Sequence, residues 1–83
     1  MSIIITPNKA SGGYCSTFEH NGKTYYADLS PCMGLDECMI FPVKDGKTDF
    51  VNDKYCRRNV PVEPCMLQAC IEEFIQGEEN ERD

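Results

Sequence analysis

Two aromatic-containing runs, Tyr14 to Phe18 and Tyr25 to Leu29, flank an Asn21-Gly22 pair that stands at the midpoint between them. Asn-Gly supplies the two left-handed residues that a two-residue type I′ turn requires, so the pattern predicts a β-hairpin. Folding there brings Tyr14, Ser16 and Phe18 opposite Leu29, Ala27 and Tyr25 on one face, with Cys15, Thr17 and Glu19 opposite Asp28, Tyr26 and Thr24 on the other. The first face is the apolar one, and a slip of one residue would scramble it.

Asp45-Gly46 repeats the turn chemistry. The same logic pairs Lys44 with Lys47, Val43 with Thr48, Pro42 with Asp49, Phe41 with Phe50, Ile40 with Val51 and Met39 with Asn52. Pro42 has no N–H to give, so its strand lies at an edge or turns the missing donor outward. Ser2 to Thr6 is short and β-branched, a candidate first strand closed by Pro7. Asn8 to Gly13 reads as a polar loop, Ser30 to Cys38 as a connection holding at most a helical turn, and Asn52 to Val62 as irregular chain.

Beyond Pro64 the period lengthens. Leu67, Cys70, Ile71, Phe74 and Ile75 follow the i, i+3, i+4, i+7, i+8 spacing of one buried helical stripe. Pro61 and Pro64 suit the start of this helix, where a missing N–H costs nothing, and Gly77 predicts its stop. The expected fold class is therefore α+β: a small antiparallel sheet of two β-hairpins, with the N-terminal strand as an optional member, packed against one C-terminal α-helix. Residues 1–77 form a single domain, and residues 78–83 an acidic, flexible tail. Phe18, Tyr25, Ile40, Phe41, Phe50, Leu67, Ile71 and Phe74 are the expected core.

A chain of 83 residues suits one domain with a thin stability margin. No apolar run approaches the roughly twenty residues of a membrane span. No basic and apolar leader precedes Ile3, so the expected location is cytoplasmic. That location in turn favours reduced, mostly buried thiols for Cys15, Cys32, Cys38, Cys56, Cys65 and Cys70.

Charge adds the clearest functional hint. Residues 1–62 balance their acids and bases, and the whole net charge of −6 falls in residues 63–83, where Arg82 is the only cation. Such a segment repels nucleic acid and anionic membranes and suits a protein partner with a basic surface. Glu72, Glu73, Glu78, Glu79 and Glu81 are the candidate partner-binding residues. Small acidic inhibitors carried by phages and mobile elements, which occupy the nucleic-acid groove of a basic protein, are an analogy in size and charge. The expectation is thus a small acidic protein-binding module without a cofactor.

The remaining chemistry is thin. His20 is the only histidine and sits beside an exposed turn, where it would struggle to serve a nucleophile. Asp36-Glu37 and Glu72-Glu73 are sequence neighbours, which do not face one another on a helix. No phosphate-binding, dinucleotide or serine-nucleophile pattern occurs, so enzymatic activity is not expected. The alternative reading is a cysteine-rich zinc-binding or redox-responsive domain. Cys32, Cys38 and Cys56 are its weak metal candidates, because Cys65 and Cys70 would lie roughly 140° apart on a helix.

Overall fold

The computed structural model describes residues 3–32 and 35–81, without the side chains of residues 32, 35 and 81. Its elements, in chain order, are β1 (Thr6–Asn8), β2 (Gly13–His20), β3 (Lys23–Cys32), β4 (Leu35–Lys44), β5 (Lys47–Thr48), β6 (Tyr55–Arg58) and α1 (Pro64–Glu81). The strands form one antiparallel sheet in the order β1-β2-β3-β4-β5, and β6 also pairs with β4. The helix covers one face of that sheet, which makes the α+β class a structural fact.

The first hairpin has the register its pattern predicts, from Tyr14 opposite Leu29 to His20 opposite Lys23. Asn21 and Gly22 both take positive φ, 54° and 73°, as a type I′ turn demands. Phe18 and Tyr25 stack with centroids 5.6 Å apart.

The second hairpin is shorter than expected. Asp45 and Gly46 turn the chain in the same way, at φ 53° and 76°, but the ladder stops after Val43–Thr48. Asp49 is the reason. Its Oδ1 accepts the backbone N–H of Val51 (3.0 Å) and of Asn52 (3.3 Å), and its Oδ2 accepts from Asn52 Nδ2 (2.9 Å). The carboxylate thus caps its own turn and lifts the chain off β4. Strand β6 takes the vacated edge, pairing Tyr55 with Ile40 and Cys56 with Met39 where Val51 and Asn52 were expected. Phe50 is consequently 65% exposed and outside the core. It still meets Phe41, centroid to centroid at 5.0 Å, and both lie on the face away from the helix.

Other differences concern adjacency. Residues 30–38 are mostly strand, because β3 and β4 form a long hairpin from Thr24–Val43 to Cys32–Leu35. Ile3 and Ile5 pack against the core without laddering, and Ser16 donates its hydroxyl to the Ile4 carbonyl at 2.7 Å. Pairing begins at Thr6 and runs through Pro7, tolerable because β1 is an edge strand. The helix does not stop at Gly77 but continues to Glu81.

The core gathers Phe18, Tyr25, Ala27, Leu29, Cys38 and Ile40 from the sheet, with Val60 and the helical stripe Leu67, Cys70, Ile71 and Phe74. Phe74 is its aromatic hub, edge-on to Tyr25 at 5.0 Å and to Phe18 at 6.2 Å.

Candidate functional site

Helix α1 carries no lysine or arginine over its length. Its outward stripe, Gln68, Glu72, Gln76 and Glu79, is exposed along the side opposite the core. The five glutamates singled out by charge divide into two groups. Glu72 and Glu79 lie on this stripe, and neither forms an ion pair among the described residues. Glu73 and Glu78 turn toward the sheet. Glu73 accepts the Tyr55 hydroxyl at 2.9 Å and pairs with Arg57 Nη1 at 3.2 Å. Glu78 accepts the Tyr25 hydroxyl at 3.4 Å. The side chain of Glu81 lies outside the described residues. Of the three cations at 54–58 the two arginines are engaged, since Arg58 Nε also lies 3.3 Å from Glu37 Oε2. Both pairs are largely exposed, and such pairs contribute about 0–1 kcal/mol.

Between the C-terminal half of α1 and the turn ends of β3 and β4 the surface opens into a cleft of about 830 Å³. Its aromatic lining comes from Tyr25, Tyr55 and Phe74. Burial pushes both phenols above their usual titration range, and the adjoining glutamates add to the effect, Glu78 at Tyr25 and Glu73 at Tyr55. Lys23, Lys44 and Lys54 line the same cleft, and none of them forms an ion pair among the described residues. Thr24 pairs with Val43, which sets Lys23 and Lys44 at the same end of neighbouring strands. Sequence reasoning missed this convergence because it treated residues 30–38 as a connection and so never placed β3 beside β4.

His20 is 7% exposed, contrary to its reading as a solvated turn residue. It lies on the helix-side face with Phe18, and its Nε2 is 3.1 Å from Asn21 Nδ2.

The cysteines separate by face. Cys38 and Cys70 are fully buried in the core, one on β4 and the other on α1. Burial pushes the Cys38 thiol well up, and its hydrogen-bonded neighbour Cys70 pushes it further. Cys56 projects from the opposite face of the sheet and is exposed, so Cys38 and Cys56 do not address a common point. The side chain of Cys32, their proposed companion, lies outside the described residues. Cys65 is exposed and Cys15 half-buried, so burial is not the rule for these thiols. No cluster of three or more histidine, cysteine or acidic side chains suited to a metal occurs among the described residues.

Among the described residues no helix is long and apolar enough to cross a membrane. No protein-family model matches the chain, and comparison with curated proteins and with solved structures gives no match.

Proposed function

We propose that this chain is a small acidic protein-binding module whose helix docks on a basic surface of a partner protein. The observation that carries the reading is the cation-free helix, with exposed Glu72 and Glu79 and an acidic last turn. A helix C-terminus already bears a partial negative charge, so carboxylates there oppose the macrodipole at about 0.3–1 kcal/mol each. Among the described residues no cation pairs with Glu79. The arrangement costs stability and intensifies the negative potential at one end of the molecule, which favours a cationic groove such as those that hold nucleic acid. A module of this kind inhibits its partner by occupying that groove.

The test is affinity capture with wild-type protein and with the Glu72→Gln/Glu79→Gln/Glu81→Gln variant, at two ionic strengths. The partner should be lost from the variant and released from the wild type as salt rises. The recovered partner should also lose nucleic-acid binding when the wild-type module is added. Equal recovery by both proteins at both salts would refute the reading.

A further inference from the structure

Gly77 sits in the interior of α1, does not take positive φ, and has nothing within 4 Å of the point where a Cβ would stand. Neither helix geometry nor packing requires a glycine there, and glycine weakens a helix interior relative to alanine. What Gly77 does do is line the cleft between the helix and the turn ends of β3 and β4. The missing side chain leaves helix backbone open to anything that enters.

The charges lining the cleft are unequal in availability. Glu73 is held by Arg57 and the Tyr55 hydroxyl, and Glu78 by the Tyr25 hydroxyl, whereas Lys23, Lys44 and Lys54 have no ion-pair partner among the described residues. Three lysines without an ion-pair partner among the described residues line a cavity with the half-buried Tyr55 and the exposed edges of the core rings Tyr25 and Phe74. Its volume of about 830 Å³ lies within the range usual for small-molecule sites. The geometry points to a binding site for a small molecule in which an aromatic ring bears a phosphate group. The ring lies against the aromatic lining and the Gly77 backbone, and the dianion is held by the lysines as point charges. The site is separate from the outward glutamate stripe and does not depend on it.

Phenyl phosphate is the minimal probe, titrated into the full chain while backbone amide resonances are followed. Saturable shifts are expected at Gly22–Tyr25, Val43–Lys44, Lys54 and Gly77. Two variants test the two halves of the argument. Lys23→Gln/Lys44→Gln/Lys54→Gln removes the cations, and Gly77→Leu fills the cleft while favouring the helix; each should weaken binding by roughly tenfold or more, the scale of a lost charge-assisted contact. Thermal melting verifies that both variants fold. Inorganic phosphate should bind about tenfold more weakly than phenyl phosphate, because the ring supplies apolar contact. Adenosine monophosphate and O-phosphotyrosine, run in parallel, distinguish a free nucleotide from a modified side chain as bearer of the same group. Shifts that do not saturate or that scatter over the sheet would overturn the proposal, as would unchanged binding by folded Gly77→Leu or equal binding of inorganic phosphate. The Glu72→Gln/Glu79→Gln/Glu81→Gln variant should bind phenyl phosphate as the wild type does, so failure at the cleft and failure at the acidic stripe are told apart.

Discussion

Replacing Gly13 and Gly77 by alanine adds the same methyl group at two places and should move stability in opposite directions. At Gly13, a buried residue at the start of β2, the new Cβ would stand 1.9 Å from the Leu29 carbonyl oxygen and 2.9 Å from the Ser30 Cα. Both obstacles are backbone, so no side chain can swing aside. The strands must part by about 1.5 Å before the contact becomes an ordinary one, which breaks the Tyr14–Leu29 end of the first hairpin. Overpacking of this kind costs typically 1–3 kcal/mol, and the rigid obstacle argues for the upper end, about 3 kcal/mol. For a domain of this size that lowers the melting temperature by roughly 12 °C or more. At Gly77 the methyl meets nothing, so the helix gains about 0.5–1 kcal/mol, or roughly 2–8 °C. Circular dichroism melts of the two variants beside the wild type decide the matter. A Gly13→Ala protein that melts with or above the wild type, or a Gly77→Ala protein that melts below it, would refute the reasoning.

Phe74→Ala should cost about 3–5 kcal/mol in urea unfolding, because the ring packs against Phe18, Tyr25 and Tyr55, whereas Phe50→Ala, at a largely exposed ring, should cost less than about 1 kcal/mol. The reverse order would sink the assignment of faces. Asp28 is half-buried, and desolvation raises its carboxyl above the usual range despite hydrogen bonds from Asn8 and Ser30. A raised folded-state value favours the protonated form, so its contribution is fully present below the unfolded value of 3.8 and is lost as pH rises through the folded one. Asp28→Asn should therefore raise the melting temperature at pH 7 and converge with the wild type near pH 3; melts at the two pH values check this. In a thiol-reagent titration Cys56 and Cys65 should react in the native protein, whereas Cys38 and Cys70 should react only on unfolding.

The first hairpin and the buried stripe of the helix were legible in the sequence, because local signals there agree with the global fold. Asn21-Gly22 fixes both the turn and the register, and five apolar residues fix the helix face. The second hairpin failed where two local preferences compete. A ladder from Pro42–Asp49 onward and an Asp49-capped turn are both available to the same residues, and the pattern cannot rank them. Strand β6 is hidden because Tyr55-Cys56-Arg57-Arg58 shows no clear alternation; its pairing is imposed by the open edge of β4. The β3–β4 hairpin was obscured by Pro31 within its strand and by a connection lacking an Asn-Gly or Asp-Gly pair. With it went the neighbourhood of Lys23 and Lys44, and so the cleft. The glutamate cluster was visible as charge, but which members turn inward depended on Tyr25, Tyr55 and Arg57, positioned by strands not yet assigned.

Two unrelated local penalties meet in the last turns of α1. Gly77 gives up about 0.5–1 kcal/mol of helix stability, and carboxylates at the negative end of the dipole give up about 0.3–1 kcal/mol each. Either alone is ordinary drift in a surface helix. Together, in a small domain whose margin is a few kcal/mol, they mark a stretch shaped by something other than folding. An alanine Cβ at position 77 would meet open space, a leucine there would extend into the cleft, and a cation at position 79 would complement the dipole. The variant Gly77→Leu/Glu79→Lys should accordingly melt several degrees above the wild type, the two gains adding to about 1–2 kcal/mol because one residue faces the cleft and the other the opposite side. It should bind phenyl phosphate weakly and retain little of the basic partner. A variant that gains the stability and keeps both interactions would remove the argument that this end of the helix serves binding.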